Sequence, residues 1–150
     1  MRVVIALGSN LGDRFETLQS AITSLRHQIT IIAISSFHET VPVGGPEQPE
    51  YLNAVLIGET EMTPLELLHT MQDIENKAQR IRVLRWGPRT LDLDLIMAGN
   101  HKIDSEELTV PHPRARDREF VLGPWLEIDP SAQIGGVKIE ILLSALRTKG

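Results

Sequence analysis

The 150-residue chain contains no cysteine. That absence removes disulfides, Cys-ligated zinc, iron–sulfur clusters and thiol catalysis together. Long apolar runs are missing as well. The longest unbroken aliphatic stretch is residues 3–7, too short for a membrane span or the core of a signal peptide. A cytoplasmic protein with no membrane partner is therefore expected. No segment carries the Gly-Lys-Ser/Thr ending of a phosphate-binding loop, so any nucleotide is held in another way. Gly8-Ser9-Asn10-Leu11-Gly12, which follows an apolar run, lacks that ending and reads as a structural turn. His27, His38, His69, His101 and His112 show no metal-ligand spacing, which argues against zinc. Aromatic rings are few, two Trp, one Tyr and three Phe, so those lying outside periodic apolar faces stand out. Tyr51, Trp86 and Phe120 fall in or beside predicted loops. Such rings either plug the rim of a core or stack on a flat heterocycle.

What is present is ordinary globular composition, 41% hydrophobic and 23% charged. A chain of this length buries roughly 68–70% of its unfolded surface, enough for one core without metal or disulfide staples. Residues 1–150 read as a single domain, expected to work as a monomer. The net charge of −5 argues against general nucleic-acid binding. It also hides an asymmetry: residues 77–118 hold nine basic groups against six acidic ones, a local excess of +3. This arginine-dominated island suits a small polyanion, or it is simply a solvated charged loop.

Periodicity supplies the elements. Residues 3–7 form a buried strand, and Asp13 with Glu16 opens a helix whose Phe15, Leu18, Ile22 and Leu25 share a face. Residues 29–37 and 52–60 read as strands on either side of a Pro/Gly-rich loop at 40–50. Thr63-Pro64-Leu65-Glu66 combines an N-cap, proline at the first helical position and a capping-box glutamate. Leu67, Met71, Ile74 and Ala78 continue that helix. An arginine-rich loop follows, then a strand over 90–97. The order β-α-β-β-α-β predicts an α+β, ferredoxin-like core. The remaining C-terminal segment adds a short helix near 117–122 and a last one near 139–147.

Leu91-Asp92-Leu93-Asp94-Leu95 is the sharpest feature. Alternation sends the leucines to one face and both aspartates to the other, about 7 Å apart along the strand. At an effective dielectric near 20 their repulsion would be about 2 kcal/mol if both were ionised and unpaired. A hard divalent cation such as Mg²⁺ or Mn²⁺ removes that repulsion. The alternative is the solvent face of an amphipathic strand. Arg80, Arg82, Arg85 and Arg89 precede the pair. Mg²⁺ on some oxygens and guanidinium forks on others is what a triphosphate requires. Surface pairing of these arginines with Asp92 and Asp94 is the other possibility.

The segment Arg85-Trp86-Gly87-Pro88-Arg89-Thr90-Leu91-Asp92-Leu93-Asp94 closely resembles the signature of the 6-hydroxymethyl-7,8-dihydropterin pyrophosphokinase family. Gly8-Ser9-Asn10 resembles the family's first turn. Gln48-Pro49-Glu50-Tyr51-Leu52-Asn53 is similar to its pterin-side loop, and Val110-Pro111-His112-Pro113 to its late loop. The resemblance implies transfer of the β,γ-diphosphate of ATP to the pterin hydroxymethyl group, with release of AMP, in folate biosynthesis. It implies that Asp92 and Asp94 hold two Mg²⁺ ions, that Arg80 and Arg82 belong to a loop closing over ATP, and that Arg89 lies near the transferring group. Gln72, Glu75, Thr109, His112 and Arg118 then match ATP contacts, and Trp86 a ring on the closing loop. Tyr51 and Phe120 match the rings sandwiching the pterin, and Asn53 with the Thr40 to Val43 backbone its hydrogen-bonding wall. The chain departs from the family pattern at Gln79, Glu107 and Pro113, none of which removes a metal ligand. Two other classes stay open: a ferredoxin-like module that binds a nucleotide or pterin without turnover, and a metal-dependent phosphohydrolase.

Overall fold

Strand β1 (Arg2–Ser9) is buried over seven of its eight residues, the pattern of a strand covered on both faces. The computed structural model describes residues 1–10, 13–40, 51–84 and 91–149, with the backbone alone for 80–84 and 149. Asp13 caps helix α1 (Arg14–Arg26), its carboxylate accepting the Glu16 N–H at 3.0 Å. Residues 29–37, expected as one strand, form two: β2 (Thr30–Ile34) and β3 (His38–Thr40). Ser35 causes the interruption. Its N–H still donates to the Val55 carbonyl, but its hydroxyl oxygen accepts the Val55 N–H at 2.9 Å, in place of a ladder carbonyl.

Strand β4 (Tyr51–Glu59) leads to α2 (Pro64–Leu84). Thr63 and Glu66 form the reciprocal capping box expected of them. The Thr63 N–H donates to Glu66 Oε1 at 2.9 Å, and the Glu66 N–H to Thr63 Oγ1 at 3.2 Å. Because α2 continues to Leu84, Arg80 and Arg82 lie on its last turns and not in a loop, a correction to the expectation. Residues 77–84 contain no Gly or Pro, so nothing in them breaks the helix before Leu84.

Strand β5 (Asp92–Ala98) completes the sheet, ordered β2-β4-β1-β5 with β3 also beside β4. Every pairing is antiparallel. With β2 and β3 counted as one interrupted strand, this is the ferredoxin-like βαββαβ order. Helices α1 and α2 cover one face through Leu18, Leu25, Leu67 and Met71, packed on Val3, Ile5, Leu56 and Leu93.

The added segment covers the opposite face from Ala115 on, while residues 103–110 pack through Leu108 and Val110 into the helix-side core. It comprises the β6 (Ile103–Asp104) and β7 (Thr109–Val110) pair, a 3₁₀ turn at Ala115–Asp117 and α3 (Glu119–Ile128). The β8 (Gln133–Ile134) and β9 (Val137–Lys138) pair and α4 (Ile139–Lys149) follow. Helix α3 outruns the expected stop near 122 and passes through Pro124. Burial of Val121, Leu122 and Trp125 against Val55, Ile57 and Ile96 outweighs the hydrogen bond that proline forfeits. No helix among the described residues is long and apolar enough to cross a membrane.

Candidate active site

Sheet register assembles the site. Asp92 stands opposite Gly8, Gly8 opposite Asn53, and Asn53 opposite His38. The next row runs Asp94, Ala6, Val55. Partners across a ladder share a face, so both aspartates, Asn53 and, two residues before it, Tyr51 look toward the C-terminal segment. A bulge follows beyond the pair. Ile5 pairs with Leu95 but Val4 with Met97, so both Ile96 and Met97 pack on that same side. The aspartates therefore do share one side of their strand, as the alternation required.

They line a cavity of about 640 Å³ floored by Ala6, Leu7 and Gly8. Thr40, Tyr51 and Asn53 form one wall, and Arg114, Arg118 and Phe120 another. Asn53 is buried, and its Nδ2 donates to Thr40 Oγ1 at 2.6 Å. A Cβ on Gly8 would sit 3.1 Å from Asn53 Oδ1 and 3.7 Å from the Tyr51 ring. The glycine serves that close approach and not a turn, since a larger residue would make Asn53 give way. Gly8, read from sequence as structural, belongs to the strand and lines the cavity.

Charges converge on β5. Burial pushes the Asp92 carboxyl up, Asp94 adds to the rise, and Arg118 opposes it. Arg118 Nη1 lies 3.7 Å from Asp94 Oδ2, while its guanidinium carbon sits 5.6 Å from the Phe120 ring centroid. Glu75 on α2 reaches the free edge of β5, where its Oε2 accepts the Leu93 N–H at 2.8 Å. Burial raises the Glu75 carboxyl, that hydrogen bond opposes the rise, and the charges of Asp92 and Asp94 reinforce it. Further along the edge the His112 N–H donates to the Ile96 carbonyl at 2.9 Å. His112 Nδ1 accepts the Arg114 N–H at 3.2 Å, which leaves the ring hydrogen on Nε2. Burial lowers the His112 pKa, Asp94 opposes this, and Arg118 and Arg114 lower it further. Burial raises the Tyr51 hydroxyl, with the Asp92 charge adding to it.

Of the residues expected at the site, Thr40, Tyr51, Asn53, Asp92, Asp94, Arg118 and Phe120 line the cavity. Glu75 and His112 flank it through β5. Gln72 is exposed on α2, three residues before Glu75, and Thr109 on β7 puts its hydroxyl 3.5 Å from Asp104 Oδ1; neither lines the cavity. Val43, Trp86, Arg89 and the side chains of Arg80 and Arg82 lie outside the described residues. Sequence reasoning missed Ala6, Leu7, Gly8 and Arg114. A glycine within an aliphatic strand was the available signal for Gly8.

The family model for 7,8-dihydro-6-hydroxymethylpterin-pyrophosphokinase matches residues 4–130. The chain belongs to this family. A pterin pyrophosphokinase from Bacillus subtilis is 47% identical over 127 residues, covering 83% of this chain and 75% of the relative. One from Haemophilus influenzae is 46% identical over 126 residues, covering 83% and 79%. One from Pseudomonas aeruginosa is 38% identical over 152 residues, covering 99% and 94%. All three carry the name 2-amino-4-hydroxy-6-hydroxymethyldihydropteridine pyrophosphokinase. A crystal structure of Plasmodium falciparum HPPK-DHPS with pterin and p-hydrobenzoate superposes with a TM-score of 0.73 at 14% identity, a likeness of fold. It covers 99% of this chain, which spans 42% of that longer one.

The donor set of the cavity suits a hard divalent cation. Two carboxylates share one face and one cavity, and the charge of Asp94 raises the cost of ionising Asp92. Among the described residues no group of three or more His, Cys, Asp or Glu could hold a metal. Magnesium commonly takes one or two carboxylates and completes its shell with phosphate oxygens and water, so a pair is sufficient.

Proposed function

We propose that the chain transfers the terminal diphosphate of ATP to the hydroxymethyl group of 6-hydroxymethyl-7,8-dihydropterin, with Asp92 and Asp94 as the ligands of Mg²⁺. Pyrophosphoryl transfer of this kind, a step of folate biosynthesis, is the activity of the family. The observation that supports the residue roles best is the shared cavity. Its acidic strand, its arginines and its rings all border one space.

The hydroxyl oxygen attacks the β-phosphorus, the bond from that phosphorus to the α,β-bridging oxygen breaks, AMP leaves, and the hydroxyl proton is released. Bound Mg²⁺ supplies neutralisation of phosphate charge and an easier loss of that proton, so no strong base is required of the protein. The chain's own residues supply geometry. Tyr51 and Phe120 flank a flat pterin, and Asn53, its amide fixed by Thr40, presents Oδ1 to a ring N–H. Arg118 is the cationic partner for phosphate oxygens, assisted by Arg114. His112, neutral with Nε2 protonated, donates to an oxygen of the nucleotide. Arg80, Arg82, Arg89 and Trp86 complete the ATP side and exclude water as competing nucleophile. Asp92 and Asp94 would hold two Mg²⁺ ions in this reading, to which a monomeric state and a cytoplasmic location also belong.

The test is to follow nucleotide products with ATP and Mg²⁺, with and without the pterin. AMP formed only when the pterin is present supports the proposal. ADP or free phosphate as the main product rejects it, the latter in favour of a phosphohydrolase. Binding without any product would indicate a sensing module.

A further inference from the structure

Helix α3 crosses the cavity face of the sheet between two ties. At its start Arg118 reaches Asp94 on β5. At its end Glu127 gathers the junction between β2 and β3. The Ser36 N–H donates to Glu127 Oε2 at 2.8 Å, the Ser36 hydroxyl to Oε1 at 2.8 Å, and His38 Nε2 to Oε1 at 2.9 Å. Nine residues of helix rise about 13.5 Å from Arg118 to Glu127. Three strand spacings separate β5 from β3 across β1 and β4, about 14 Å. The helix is as long as the sheet is wide at that point, so it acts as a strut.

A Ser–His–acid nucleophile is excluded at this cluster. In such a relay the ring stands between hydroxyl and acid and uses both nitrogens. Here Nε2 alone faces both, 3.1 Å from Ser36 Oγ and 2.9 Å from Glu127 Oε1. The cluster is a clamp. What it clamps is β3, an edge strand of three residues with few ladder bonds of its own. His38 pairs with Asn53, and Thr40, two residues on, fixes the Asn53 amide. At the other end of the strut Phe120 hangs from the first turn of α3.

We infer that Glu127 is a positioning residue for the pterin, holding β3 to α3 and thereby setting the gap between Phe120 and the Thr40–Asn53 wall. This rests on the pyrophosphokinase reading of the cavity. The ATP side is anchored separately, through Arg118 at the opposite end of the helix.

The experiment compares wild type, Glu127→Ala and His38→Ala. Pterin is titrated calorimetrically in the presence of Mg²⁺ and a non-hydrolysable ATP analogue, and KM is measured for both substrates. Glu127→Ala should weaken pterin binding about tenfold, equivalent to ~1.4 kcal/mol, and leave the KM for ATP within about twofold. His38→Ala, which removes one of three bonds, should show the same selective shift to a smaller degree. Unchanged pterin affinity in a folded Glu127→Ala protein overturns the inference, as does equal weakening toward ATP and pterin. If Glu127→Ala does not fold, an unshifted pterin affinity in His38→Ala overturns it. A wild-type protein that forms no AMP rejects the function itself, and the pterin titration still judges Glu127.

Discussion

Arg118 and Asp94 stand 3.7 Å apart, and the same guanidinium lies over the Phe120 ring, so one side chain joins the acidic side of the cavity to its aromatic side. Both partners are partly exposed, at 28% and 42%, so the pair adds at most about 1 kcal/mol to stability. Its consequence is arrangement. Asp94→Ala should therefore leave the fold intact while AMP formation falls at least about 10²–10³-fold, the scale of losing a group that stabilises transition-state charge. Mg²⁺ with ATP should raise the melting temperature of wild type but not of this variant. Activity retained in Asp94→Ala would refute the metal role.

Asp92 makes stability depend on pH in an unusual sense. Its folded pKa is raised by burial and by Asp94, so between the ordinary aspartate value of about 3.9 and that raised value the folded protein keeps a proton the unfolded chain has lost. Stability from this group falls as pH rises through that window, and the penalty is complete above it. Asp92→Asn should melt higher than wild type at pH 7 without Mg²⁺, and the difference should shrink as pH falls toward the ordinary aspartate value. Melting curves whose difference ignores pH would contradict this.

Gly8 leaves Asn53 room that a Cβ would take up. The Cβ of Gly8→Ala, 3.1 Å from Asn53 Oδ1, forces that amide aside. Overpacking of this kind costs about 1–3 kcal/mol, and here it should appear as a higher KM for the pterin with little change in that for ATP. Equal KM values for wild type and Gly8→Ala would show that Asn53 does not read the pterin.

His112 is held neutral. Burial and the two nearby arginines lower its pKa against the pull of Asp94. Its imidazole should titrate below the ordinary histidine value of about 6.5 in an NMR pH series on the free protein. His112→Gln should raise the KM for ATP without moving the acid limb of the rate profile near neutrality. A midpoint at or above the ordinary value would rule out a neutral donor at this position.

Much of the fold was legible because its signals are local. The capping box at Thr63 and Glu66, the cap at Asp13 and the buried run of β1 each depend on residues within one or two turns of one another. Misreadings came where packing overrode local preference. Pro124 sits inside α3 because Trp125 and Val121 bury on the sheet, and Ser35 splits a run of isoleucines through its contact with Val55. Two-residue strands such as β6 and β8 are too short for alternation to register.

The aspartate pair, its common face and the arginine-rich stretch before it were set by sequence alone, since a period of two needs only neighbouring residues. Which groups meet that face was decided by tertiary structure. Arg114 and Phe120 reach the cavity because a second apolar face of the sheet had to be covered, and the C-terminal segment covers it. Glu127 finds Ser36 across 91 residues of chain for the same reason. Helix length matched to sheet width is a property of the packed layers, and it leaves no pattern among adjacent residues to be read.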